Sequence, residues 1–150
     1  MIYMQSMKNM IILIFLLLFT AQCRTDSPTY FDLYNNSGAP VCYYMPWKHG
    51  FFYPDTTLPK KNPNPYQFDK EWHFSREGNI FAALPTDTLS VFFFSPDTLA
   101  KYEWATIRQE YKILVRYDLS HNDLKRLNWR IDYPPTEAIK NIKMWPPYKE

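Results

Sequence analysis

The plainest pattern along the chain is an unbroken apolar run over residues 10–19, with Lys8 before it and Thr20-Ala21-Gln22-Cys23 after it. A basic start, a short apolar centre and a small or polar processing region predict a secretory leader over residues 1–22. A membrane-crossing helix needs about 20 apolar residues, and this run stops short of that, so cleavage is expected rather than retention. Met7-Lys8-Asn9 would by itself open such a leader. Residues 24–29 are polar, contain Pro28 and have no periodicity, so residues 23–29 read as a tether and residues 30–150 as one domain.

From Tyr30 onward the pattern is mostly that of strands. Tyr30, Phe31, Leu33 and Tyr34 run into Asn35-Asn36-Ser37-Gly38, which is strong turn chemistry, and residues 41–45 resume as a second arm, predicting a β-hairpin. Prolines at 46, 54, 59, 63 and 65 and the polar Lys60-Lys61-Asn62 predict a long surface loop over residues 46–69, with room for a short strand at 51–53. Extended segments are expected at 72–74 and 79–84, on either side of Arg76-Glu77-Gly78. Residues 89–94 carry β-branched or aromatic bulk at Val91, Phe92, Phe93 and Phe94 in succession, as a strand covered on both faces does.

Ser95-Pro96-Asp97 is a helix start, and Ala100, Trp104, Ile107 and Tyr111 form one apolar stripe, predicting a helix over about residues 96–109 packed on the sheet. A strand follows at 112–117, with Ile113, Val115 and Tyr117 on one face. Ser120 with Asp123 then opens a second short helix running to Leu127. Trp129-Arg130-Ile131-Asp132-Tyr133 alternates as a half-exposed strand closed by Pro134-Pro135, and residues 136–142 suit a last helical turn. The sum is a mainly β chain: an antiparallel β-sandwich of about seven strands with one helix on it. The strand, helix, strand order over residues 89–117 leaves a small α+β fold as the alternative.

Composition sharpens this picture. Aromatic residues make up 19% of the chain, with thirteen prolines against three glycines, so core material is plentiful and long helices are disfavoured. Seventeen Lys and Arg against fifteen Asp and Glu give a net charge of +2, and Lys8 leaves with the leader, so no basic face for nucleic acid is expected. Three glycines do not supply a phosphate-binding loop. His49, His73 and His121 share no metal-ligand spacing, so no metal site or cofactor is expected. Cys42 lies between Val41 and Tyr43-Tyr44, a setting for a buried core thiol rather than a nucleophile. No catalytic constellation is visible, although scattered acids neither propose nor exclude a glycosidase-like pair.

Two modifications are suggested by position. Cys23 stands where a bacterial lipoprotein carries its acylated cysteine, with Gln22 departing from the usual small residue before it. Lipidation of Cys23 is the expectation. Its alternative is ordinary cleavage, which makes a Cys23–Cys42 disulfide possible if Cys23 is retained. Asp55-Thr56-Thr57, Asp87-Thr88-Leu89 and Asp97-Thr98-Leu99 resemble the O-glycosylation acceptor motif of exported proteins from Bacteroides-type bacteria, which marks Thr56, Thr88 and Thr98. A third feature is the aromatic crowd Tyr43, Tyr44, Trp47, Phe51, Phe52 and Tyr53. A sugar-binding platform at Trp47, Phe51, Phe52 and Tyr53 is one reading, and core filling is the simpler one.

The segments LPTDTLSVFFFSPDTL, YKILVRYDLSHNDLKRLNW and YPPTEAIKNIKMWPPY, with the earlier NNSG and YPDTTLP, resemble small predicted lipoproteins of Bacteroides-type bacteria. The resemblance implies export and a lipid anchor and brings no assigned activity. The expectation is a non-enzymatic lipoprotein of the cell envelope, anchored in a membrane, most simply the outer one. It would serve as a binding or assembly module for an envelope protein or glycan. A carbohydrate-binding accessory protein using the loop aromatics is the alternative.

Overall fold

The computed structural model describes residues 30–46, 58–75, 81–84 and 87–149. Cys23, the suggested strand at 51–53 and the loop rings Trp47, Phe51, Phe52 and Tyr53 lie outside them, as does Thr56.

Eight strands are formed among the described residues: β1 (Tyr30–Asn35), β2 (Val41–Tyr44), β3 (Tyr66–Phe68), β4 (Glu71–Ser75), β5 (Thr88–Phe94), β6 (Val115–Ser120), β7 (Arg130–Tyr133) and β8 (Lys143–Trp145). They make a three-stranded sheet in the order β4-β1-β7 and a five-stranded sheet in the order β3-β2-β5-β6-β8. Every pairing is antiparallel except that of β1 with β7. The predicted β-sandwich is the observed architecture, with eight strands in place of about seven.

Period-two alternation builds the core between the sheets. Phe31 and Leu33 of β1 and Ile131 of β7 meet Val41, Leu89, Val91, Phe93, Val115, Tyr117 and Leu119 of the larger sheet. Tyr117 ties the layers together directly, its fully buried hydroxyl donating to the Asp132 carbonyl of β7 at 3.0 Å. The other face of the larger sheet is covered as well. Cys42, Phe92 and Phe94 pack there with Leu58, Trp104 and Ile107, so β5 is buried on both sides, as its continuous bulk predicts. Cys42 is a buried thiol with no disulfide partner among the described residues, and burial raises its pKa.

Several expectations are corrected. Residues 30–34 and 41–45 form no hairpin, because both edges of β1 are taken by β4 and β7 and the 36–40 connection carries the chain across to the other sheet. The predicted helix over 96–109 is two short helices, α1 (Pro96–Lys101) and α2 (Trp104–Glu110), separated by the extended backbone of Tyr102 and Glu103. That break lets α2 turn inward. Trp104 lies 5.9 Å from the Phe94 ring and donates to the Pro59 carbonyl at 2.8 Å, while Arg108 donates to the Leu58 carbonyl at 3.1 Å. The long loop contains β3, and within the expected extended segment 79–84, residues Phe81–Ala83 form a 3₁₀ turn. The strand expected at 112–117 begins only at Val115; Ile113 and Leu114 pack on opposite cores.

The second helix, α3 (His121–Arg126), has the expected capping box: Ser120 Oγ accepts from the Asp123 amide and Asp123 accepts from the Ser120 amide. The predicted last turn is a 3₁₀ turn at Glu137–Ile139.

Candidate functional site

Alternation that sends Phe31, Leu33 and Ile131 inward sends Asp32, Tyr34, Arg130 and Asp132 outward, and β4 adds Glu71 and His73. The registers set these side chains in two rows across the three-stranded sheet. His73, Asp32 and Arg130 stand side by side, and next to them Glu71, Tyr34 and Asp132. Six ionisable side chains thus share one face of the sheet.

The group is internally bonded. His73 Nδ1 lies 2.6 Å from an Asp32 oxygen. The Tyr34 hydroxyl donates to Glu71 Oε1 at 2.8 Å, and that bond is the main reason its pKa is raised. Arg130 reaches Asp132 through Nε and a terminal nitrogen at 3.0 and 2.7 Å, and its guanidinium lies 3.9 Å from the centre of the Tyr34 ring. The hydrogen bonds to Asp132, the largest cause, raise the Arg130 pKa further. Asn36 Nδ2 donates to the same Asp132 oxygen at 2.9 Å. Each of Asp32, Glu71 and Asp132 therefore already serves as an acceptor within the face.

At the far end of β1 this face runs into a groove of about 740 Å³, bounded by Tyr34, Asn36, Asp69, Lys70, Glu71 and the backbone of residues 38–40. Its floor is held by Asn35, which is buried. The Asn35 amide nitrogen donates to the carbonyls of Ala39 at 2.7 Å and Asp69 at 2.8 Å, and its oxygen accepts from the Ser37 amide and hydroxyl at 3.0 and 2.7 Å. Both donors and both lone pairs of the carboxamide are used, so the β1–β2 and β3–β4 connections are fixed to one another. Gly38, at φ +77, takes the left-handed step of the first connection.

A second polar cluster is buried on the helix-covered face of the larger sheet. Asp118 accepts from Ser90 at 2.6 Å and from Arg116 Nε at 2.8 Å, and the Tyr111 hydroxyl stands 3.5 Å from Arg116 Nη1. Arg116 and Asp118 side chains are only 4% and 7% exposed, so the ion pair lies out of solvent. Burial opposes the charge on Arg116, and the Tyr111 and Asp118 oxygens outweigh it and keep its pKa raised. The pair stiffens the sheet from within. Among the described residues no group of three His, Cys, Asp or Glu side chains is placed to hold a metal ion.

The residues singled out from sequence are not gathered into one place. Thr88 opens β5 opposite Ser120, whereas Thr98 sits in α1, beyond the far end of that strand. Thr98 lines a hollow of about 260 Å³ with Ser95, Tyr102 and Lys112. Among the described tryptophans, Trp104 is buried, Trp72 and Trp129 are half-buried and Trp145 is 42% exposed. The outward positions of β1 and β7 were readable from their alternation. Their convergence with Glu71 and His73 depends on β4 pairing with β1, which no local signal states.

Comparison with family models, with characterised proteins and with solved structures gives no match for this chain.

Proposed function

We propose that the chain is an exported envelope lipoprotein, anchored through Cys23, that works as a binding module. The observation that carries the binding half of the reading is the polar face of the three-stranded sheet. Its acids are pre-oriented by His73, Tyr34, Arg130 and Asn36, on an open sheet rather than in a water-excluding cleft. Fixed polar groups on a rigid scaffold suit recognition, where little ordering cost remains at binding. A hydrolase would place a base, a nucleophile and an oxyanion site around one reacting atom in a desolvated pocket.

The anchoring half rests on the leader, on Cys23 and on reach. Seven residue steps from Cys23 to Tyr30 span at most about 25 Å, so a lipid on Cys23 would keep the start of β1 close to the bilayer. In membrane fractionation, the wild type is expected in the washed membrane pellet and a Cys23→Ala variant in the soluble fraction. Equal partition of the two would remove the anchor. Turnover of a generic ester or glycoside by the purified protein, lost in His73→Ala, would overturn the binding reading.

A further inference from the structure

We infer that the groove between the β1–β2 and β3–β4 connections is a carbohydrate site, taking a neutral oligosaccharide of two or three sugar units. The inference rests on the binding-module reading and names its ligand class.

Four observations carry it. The first is size: about 740 Å³ falls in the range of small-ligand sites, roughly 300–1,000 Å³, and exceeds what one monosaccharide fills.

The second is that the lining groups are half used. Glu71 spends Oε1 on the Tyr34 hydroxyl and keeps Oε2. Asn36 spends its amide nitrogen on Asp132 and keeps its carbonyl oxygen. In each residue one atom fixes the orientation while another is left to meet a ligand hydroxyl. Asp69 and Lys70 are exposed at the rim, and their side chains make no bond to the described residues.

The third is the mixture of types. Carboxylates, a carboxamide oxygen, an ammonium group and the loop backbone offer both acceptors and donors. A sugar hydroxyl is donor and acceptor at once, and vicinal hydroxyls match the two oxygens of a carboxylate. Lys70 beside Asp69 and Glu71 works against a strongly cationic ligand, and the two acids work against an anionic one.

The fourth is the Tyr34 ring. It borders the groove and is held by the Arg130 guanidinium over its ring and by its own bond to Glu71, so the aromatic part of the groove wall is fixed before a ligand arrives. The floor beneath these groups is fixed by Asn35, so the site is formed before any ligand arrives.

The test uses the mature protein purified with detergent from whole lysate of the cells that make it. It is applied to an array of neutral hexose and N-acetylhexosamine oligosaccharides, with an oligo-arginine peptide as the rival ligand, and hits are quantified by calorimetry. Saturable binding of at least one oligosaccharide is expected. Asp69→Ala and Asn36→Ala should each weaken it about tenfold with an unchanged melting temperature, the effect of losing one or two hydrogen bonds to the ligand. Asp97→Ala, an exposed acid on α1, should bind like wild type.

Absence of binding to every oligosaccharide overturns the assignment. So does binding that ignores both groove variants, or capture of the oligo-arginine peptide in place of sugar. Release of reducing ends from a bound oligosaccharide would contradict the binding-module reading while leaving the groove as the sugar site. Loss of the lipid anchor would leave the binding result untouched, so the two failures are separable.

Discussion

Asp118 and Arg116 are each nearly inaccessible to water and each supplies the other's compensating charge. Removing one partner strands the other. Asp118→Ala is expected to cost about 3 kcal/mol, read as a lower urea midpoint, because the buried guanidinium loses its carboxylate partner while keeping its desolvation penalty. Replacing both at once, Arg116→Met with Asp118→Leu, should restore most of that loss, which distinguishes charge stranding from simple loss of packing.

Asp123 behaves differently because it is partly exposed, at 21% of its side-chain surface. Burial opposes its ionisation, but the Ser120 hydroxyl and amide and the Arg126 guanidinium outweigh this and hold its carboxyl below the ordinary value of about 4. A depressed folded-state pKa means the stabilisation is fully present above the unfolded value and is lost as pH falls through the folded one. Ser120→Ala should therefore cost about 1 kcal/mol at neutral pH, and the gap between variant and wild type should narrow below about pH 4 in acid-titrated thermal melts, leaving the part due to the lost cap on the Asp123 amide.

At the scale of elements, what the sequence reveals depends on whether the deciding contact is local. β5 was legible because Val91–Phe94 needs cover on both sides whatever its partners are, and α3 because its capping box lies within four residues. The hairpin expectation failed on a matter of partnership. Asn35-Asn36-Ser37-Gly38 does turn the chain, but the turn is organised by the buried Asn35 side chain reaching Asp69, so it bridges two sheets. The single helix failed for the same kind of reason. Neither Gly nor Pro marks the break at Tyr102 and Glu103, and the pull comes from Trp104 and Arg108 on the distant carbonyls of Pro59 and Leu58. β8 was missed because three residues are too few to show a period. The candidate groove was invisible for the sum of these reasons: it exists only where β1, β4 and two connections meet.

Across the whole molecule, one rigid sandwich puts two unlike surfaces at the two ends of β1. Tyr30 stands where the tether would arrive, and the groove opens where β1 leaves for the other sheet. A lipid at Cys23 would hold the domain, and the groove with it, within a short tether's reach of a membrane, where the anchoring and binding halves of the account meet. The most direct test is the intact mass of the mature protein taken from its native membrane. The account predicts an N-terminal Cys23 carrying a diacyl or triacyl increment, with the residues before it removed. An unmodified chain with no acyl mass at Cys23 would contradict it.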